Sequence, residues 1–397
     1  MSCRESITSP ITNNHLTEAL VNASVGDLYF VHERGSRMAL ATLCLFGGAF
    51  LTPVIVGKMT STLGWPWTHY FVAIFAAVML PLIIFLVPET AYRRDSKLET
   101  DTNMTRYRGS TSLDNLSPTE NENDKAAHHQ TTNSTHSTSS TSPPATTSTI
   151  LTLTTGLSPF NGRKDPTPFH KLLLRPFPLF FHPSIFWAML TQGLLIGWTV
   201  LIGIVLAAIM IGPPLFFNEV ETGYMYGGPV VGALLGFLLA GLISDPTARW
   251  LTKRNRGVYE PEFRLILVVP QMVFGCAGLY GFGITANDTV KYGWFWPDFF
   301  FALVVMGMVL GAVASALYIV DAHREIAVEG FTCLLVFKNI FSFGLTFSGY
   351  GWLVKGGIKP VFMAIASVQV VVCVSTVALC KSFLNGSEAA RLGDRRC

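Results

Sequence analysis

Five residues interrupt apolar stretches of this 397-residue chain where chemistry could be done: Gln192, Trp198, Gln271, Lys338 and Asn339. Lys338 carries a charge about ten residues into an apolar run, a position that demands a partner or a wet cavity. Its ammonium could contact an anionic ligand, or pair with Glu329 or Glu325. The amides of Gln192 and Gln271 can bond a neighbouring helix or a bound small molecule, and Trp198 can serve as packing or as a ligand surface. Two charged clusters sit at the ends of apolar runs. Asp321, His323, Arg324 and Glu325 form one, readable as a gate or as a solvated loop whose carboxylate favours a helix start. Gly241, Asp245, Arg249, Lys253 and Arg254 form the other. There the aspartate can pair with an arginine or with the N-terminus of a neighbouring helix.

The elements that must carry these residues follow from composition. Half of the residues are hydrophobic (50%), 13% are charged, and mean hydropathy is +0.43. A soluble domain carries about 25% charge to solvate its surface, so this chain is dissolved in lipid. Runs of roughly 20 apolar residues, the length of helix that crosses a hydrocarbon core, lie near Ala39–Met59, Tyr70–Val87, Ile185–Ile211, Met225–Ser244, Leu265–Ile284, Phe299–Val320, Val328–Tyr350 and Val361–Leu384. That predicts about eight transmembrane helices and no strands. Within them, Gly232, Gly236 and Ala240 share one helix face, as do Gly307, Gly311 and Ser315, a small-residue spacing that lets helix backbones approach in lipid.

Between the second and third runs, residues 93–168 are polar and include the stretch TTNSTHSTSSTSPPATTST. That composition cannot bury enough surface to offset chain entropy and reads as disordered. Lys and Arg concentrate on one side of the expected spans: Arg34, Arg37, the linker, Arg249, Lys253, Arg254, Arg256, Arg264, Arg324, Arg391, Arg395 and Arg396. Lys58, Lys291, Lys355 and Lys359 fall on the other. The bias places both termini and the linker in the cytoplasm. Residues 1–15 are polar and lack the apolar core of a signal peptide. The cysteines (Cys3, Cys44, Cys276, Cys333, Cys373, Cys380, Cys397) are widely spaced, with no metal-ligand pattern and no disulfide framework. His128, His129, His170 and His182 are likewise isolated, so a membrane-bound enzyme has no visible site, no metal and no cofactor.

Four segments resemble one family. GLISDPTARWLTKRNRGVYEPEFRL (241–265) resembles the cytoplasmic loop between the second and third helices of a major-facilitator half: a glycine, an aspartate four residues on, then an arginine and a basic cluster. DLYFVHERGSRM (27–38) with LCLFGGAFLTPVIVG, VPETAYRR (87–94) and YIVDAHREIAVEGFTCLLVFKNIFSFG (318–344) resemble other stretches of fungal members of the major facilitator superfamily, in family order. The resemblance implies an all-α transporter fold in which two six-helix halves rock about a midplane site. It assigns the charged loop as an inner latch, and the five mid-span residues as candidate solute contacts.

Counted against the family, the runs correspond to helices five to twelve. The expectation is therefore a partial fold lacking the first three helices, with LTEALVNASVGDLYF as a remnant of the fourth. The expected layout is a leader with that remnant (1–37), helices five and six (38–92), a disordered linker (93–183), a complete C-terminal half (184–384) and a cytoplasmic tail (385–397). Thr52 and Val56 stand where proton antiporters of the family usually have glycine, which puts drug-efflux antiport in doubt. The expected activity is movement of a small organic solute across the plasma membrane by a monomer, through proton-coupled exchange and without nucleic acid. The competing readings are a fragment that transports nothing and, less favoured, a membrane-bound enzyme or a receptor.

Overall fold

The computed structural model describes residues 18–86 and 174–393. The polar linker up to residue 173, including the segment expected to be disordered, lies outside the described residues. So does the VPETAYRR match. All regular structure among the described residues is helical. Eight helices are long and apolar enough to cross a membrane: α1 (Arg34–Leu63), α2 (Trp65–Leu86), α3 (Pro183–Ile211), α4 (Gly227–Arg254), α5 (Pro261–Ala286), α6 (Phe295–Ala322), α7 (Ala327–Gly356) and α8 (Ile358–Gly393). This agrees with the eight apolar runs, because in hydrocarbon each backbone N–H and C=O must be satisfied within its own helix. A shorter helix over residues 18–28 precedes α1.

Residues Met1–Tyr70 and Pro166–Cys397 form one unit and Phe71–Asp165 a second. In the second unit the described residues are the remainder of α2, which exposes Phe71, Ile74, Phe75 and Val78. Those side chains suit a hydrocarbon solvent. In the first unit α6 is central, with 83% of its apolar window buried. It packs against α4, α5 and α1, while α3 pairs with α7 and α5 with α8. Close approach depends on the small residues noted above. A methyl group at Gly232 of α4 would run into the backbone of Ala302 on α6. One at Gly307 of α6 would lie 2.6 Å from the backbone of Gly275 on α5. Leucine at either place would force the helices apart.

Two widened turns break the regularity. Met189–Gly193 in α3 and Met272–Cys276 in α5 are π-helical, and each is marked by a mid-span glutamine. Gln192 lies inside the first and Gln271 immediately precedes the second. A π-turn loosens the backbone ladder locally. Gln271 Nε2 donates to the Thr191 carbonyl across the helix pair at 3.1 Å, so one widened turn is tied to the other.

Candidate functional site: a buried charge network and a deep ion pair

Asp245 sits in α4 just before Pro246, with its side chain 8% exposed. Its Oδ1 accepts the Gly35 N–H at 3.0 Å, and Oδ2 accepts the Ser36 N–H at 2.9 Å and the Ser36 hydroxyl at 2.7 Å. Gly35 and Ser36 belong to the first turn of α1, whose N–H groups have no partner within their own helix. A carboxylate from α4 therefore caps α1, with the helix dipole favouring its charge. The approach is tight enough that a Cβ on Gly35 would collide with Asp245 and Ser244.

Arg264, fully buried at the start of α5, holds the centre. Nη1 donates to Asp245 at 3.1 Å and to the Ser244 hydroxyl at 2.8 Å, Nη2 to the Val31 carbonyl at 2.5 Å, and Nε to Asp321 at 3.2 Å and the Tyr259 oxygen at 3.0 Å. Asp321, at the end of α6, is also ion-paired to Arg34 of α1 and accepts the Tyr259 hydroxyl at 2.5 Å. Two arginines and two aspartates thus share one site, each side chain at most 8% exposed. Burial, and after it the Asp321 carboxylate, push the Tyr259 phenol well above its ordinary range, so it remains a donor. Balanced charge and saturated hydrogen bonding are what make such burial tolerable.

The network joins Asp245 and Asp321, which the sequence placed in separate clusters. It also corrects the expected partner. Asp245 pairs with Arg264, whereas Arg249 is exposed and donates to the His32 carbonyl at 2.9 Å. Four residues along α4 turn a side chain by about 40° and lift it about 6 Å, carrying Arg249 out of the contact. Lys253 and Arg254 are also exposed, the latter lying over the Trp250 ring at 5.5 Å. Gly241 faces α1, with Ser36 nearest to a methyl added there. Arg324 pairs with Asp27 at 3.5 Å, and the Glu325 side chain lies outside the described residues. Arg34, Arg264 and Tyr259 were not singled out by the sequence. Their signal was position, since both arginines fall at the margin of an apolar run, where they counted only as loop charges.

Among the mid-span residues, Lys338 meets neither Glu329 nor Glu325. Its Nζ lies 2.5 Å from Glu18 Oε2, with side-chain exposures of 10% and 8%. Glu329 is nine positions away, which on a helix means the opposite face and about 13 Å of rise; it pairs with Arg175 at 2.9 Å. Gln192 accepts from the Ser315 hydroxyl at 2.8 Å, so both glutamines bond neighbouring helices. Trp198 is buried and meets the Phe341 ring edge-on at 5.0 Å, while its indole N–H has no protein acceptor. Asn339 is half-buried. Among the described residues no cluster of His, Cys, Asp and Glu could hold a metal ion.

Membrane-spanning helices clasped at one end by a charge network define a class of polytopic membrane protein built to have its helix contacts made and broken. The chain belongs to the Major Facilitator Superfamily, whose profile matches residues 16–328. It is 25% identical to Protein HOL1 of Saccharomyces cerevisiae over 89% of its own length and 65% of that protein's. It is 23% identical to an uncharacterized MFS-type transporter of Schizosaccharomyces pombe, over 88% of the chain and 62% of the relative. With MFS transporter cpaT of Aspergillus oryzae it shares 24% identity over 82% of the chain and 57% of the relative. The chain thus spans somewhat under two thirds of the length of these relatives. The family match begins at residue 16 and lends no support to the expectation of missing N-terminal helices.

Proposed function

We propose that this protein moves a small organic solute across a membrane by alternating access, driven by protons. The observation that carries the reading is the buried Arg34–Asp245–Arg264–Asp321 network, which ties α1 to α4, α5 and α6. A charge cluster of this kind holds one conformation strongly and releases another once it opens, which is the requirement for a gate. By the bias of basic residues, the network lies on the cytoplasmic face of the plasma membrane, with both termini on that side. The layout expected from the sequence then makes α1 and α2 part of the N-terminal half and α3 to α8 the C-terminal half, acting as a monomer. Gln192, Trp198, Gln271, Lys338 and Asn339 are the proposed solute contacts, and Asp245 and Asp321, with the residues around them, the inner gate. The transporter names carried by relatives support the same reading.

The test is solute flux into proteoliposomes under an inward proton gradient, across a panel of organic acids, amines and neutral solutes. Asp245→Asn keeps the shape of the α1 cap but removes its charge, and should lower flux at equal reconstitution. Flux that Asp245→Asn leaves unchanged would remove the gate from the proposal; no flux of any solute would remove the transport activity.

A further inference from the structure

The Lys338 ammonium is held from two sides. Glu18 lies 2.5 Å from it, and the Phe46 ring of α1 faces it with the centroid at 6.0 Å. The ring stabilises the cation whether or not Glu18 is charged. A second donor lies close by: Trp198, whose buried N–H lacks an acceptor, packs on Phe341, one turn along α7 from Lys338. An ammonium and an unpaired N–H leave Glu18 as the local acceptor that can be withdrawn. A carboxylate takes up a proton at mildly acid pH far more readily than an ammonium gives one up at neutrality.

We propose that Glu18 and Lys338 form a proton-exchangeable anion site, in which protonation of Glu18 frees Lys338 to bind the carboxylate of an organic solute. The proton comes from water and ends on Glu18, the ion pair opens, and the solute carboxylate replaces Glu18 as counter-ion to Nζ. No covalent bond of the solute changes. The buried charge stays balanced throughout, one ammonium against one carboxylate, which keeps the exchange affordable in a low-dielectric site. An ammonium-bearing solute would instead add a second cation beside Lys338. Other charged groups on the surrounding helices lie toward helix ends: Asp27, Arg34, Arg37 and Lys58 on residues 18–28 and α1, Asp298 and Asp321 on α6, and Glu329 and Lys355 on α7; α3 carries none. The inference rests on the transporter reading above and gives it a direction: proton and solute bind together, which is co-transport and not the exchange expected from the sequence.

The test uses the full chain in detergent at pH 5.5 and pH 7.5, with benzoate, succinate and citrate as probes and tetraethylammonium as the cationic comparison. At least one carboxylate should bind, about tenfold more tightly per unit fall in pH, with uptake of one proton measured in weakly buffered solution. Glu18→Gln should make that binding independent of pH and abolish the proton uptake. Lys338→Ala should abolish binding, and the charge-neutral Glu18→Gln/Lys338→Gln chain, which leaves no unpaired ion, should do the same. Failure of every carboxylate to bind overturns the proposal, as does binding of tetraethylammonium in their place or a pH slope that survives Glu18→Gln. Carboxylate binding with proton uptake but no flux in proteoliposomes would overturn the transporter reading alone. Flux that is indifferent to Glu18 and Lys338 would overturn this site alone.

Discussion

Replacing Arg264 by leucine removes the hub of the charge network while keeping an apolar side chain at the start of α5. Arg264 is fully buried and donates to two carboxylates, a hydroxyl, a phenol oxygen and a backbone carbonyl. Its loss leaves Asp245 and Asp321 facing Arg34 alone, a net buried negative charge, with the Val31 carbonyl deprived of its donor. Breaking a buried pair by removing one partner costs about 3–5 kcal/mol. With all four charged side chains at most 8% exposed, solvent screening gives no reason to discount that figure. If the cost falls on this closed arrangement and not on an open one, the equilibrium shifts by roughly 10²- to 10³-fold, at about 1.4 kcal/mol per factor of ten. Ala248, one turn beyond Asp245 and 4% exposed, reports the change when converted to cysteine in a chain whose native cysteines are replaced. A membrane-impermeant maleimide should label Ala248→Cys faster by at least an order of magnitude in the Arg264→Leu background. Adding Asp245→Asn should reverse part of the effect by removing the excess charge. Unchanged labelling, together with an unchanged melting temperature, would refute the network as an energetic latch.

Two further outcomes follow from the same contacts. Gly35→Ala puts a methyl group into Asp245 and Ser244, and should lower stability by about 1–3 kcal/mol, as overpacking does; a melting curve in detergent that matches the parent would contradict the cap geometry. His323, in the turn after α6, meets the His182 ring edge-on at 4.8 Å, and burial, then His182, lower its pKa. The unfolded chain therefore binds the proton more readily, so this group's contribution is full above the ordinary histidine range, near pH 6.5, and is lost as pH falls below it. His323→Gln should flatten the fall in melting temperature between pH 7.5 and 5.5, and an equally steep fall in the variant would count against this assignment.

The spans were legible because their cause is local. A run of about 20 apolar residues has one stable form in hydrocarbon, whatever lies beside it. All eight runs became helices for that reason, and the glycine faces that would pack them showed as simple spacings. Asp245 was legible as a charge that needs either an arginine or a helix start, and it takes both.

Which charges meet was not legible. Arg264 reaches Asp245 from 19 positions away and Asp321 from 57, while Glu18 reaches Lys338 across 320. Nothing in a helical period links residues so far apart. For Lys338, sequence proximity favoured Glu329, yet the helical repeat puts that residue on the opposite face. Composition and periodicity fixed the number of helices and their solvent. The pairing of buried charges waited on how the helices dock, because an ion in a low-dielectric interior takes whichever opposite charge the packing brings within hydrogen-bond reach.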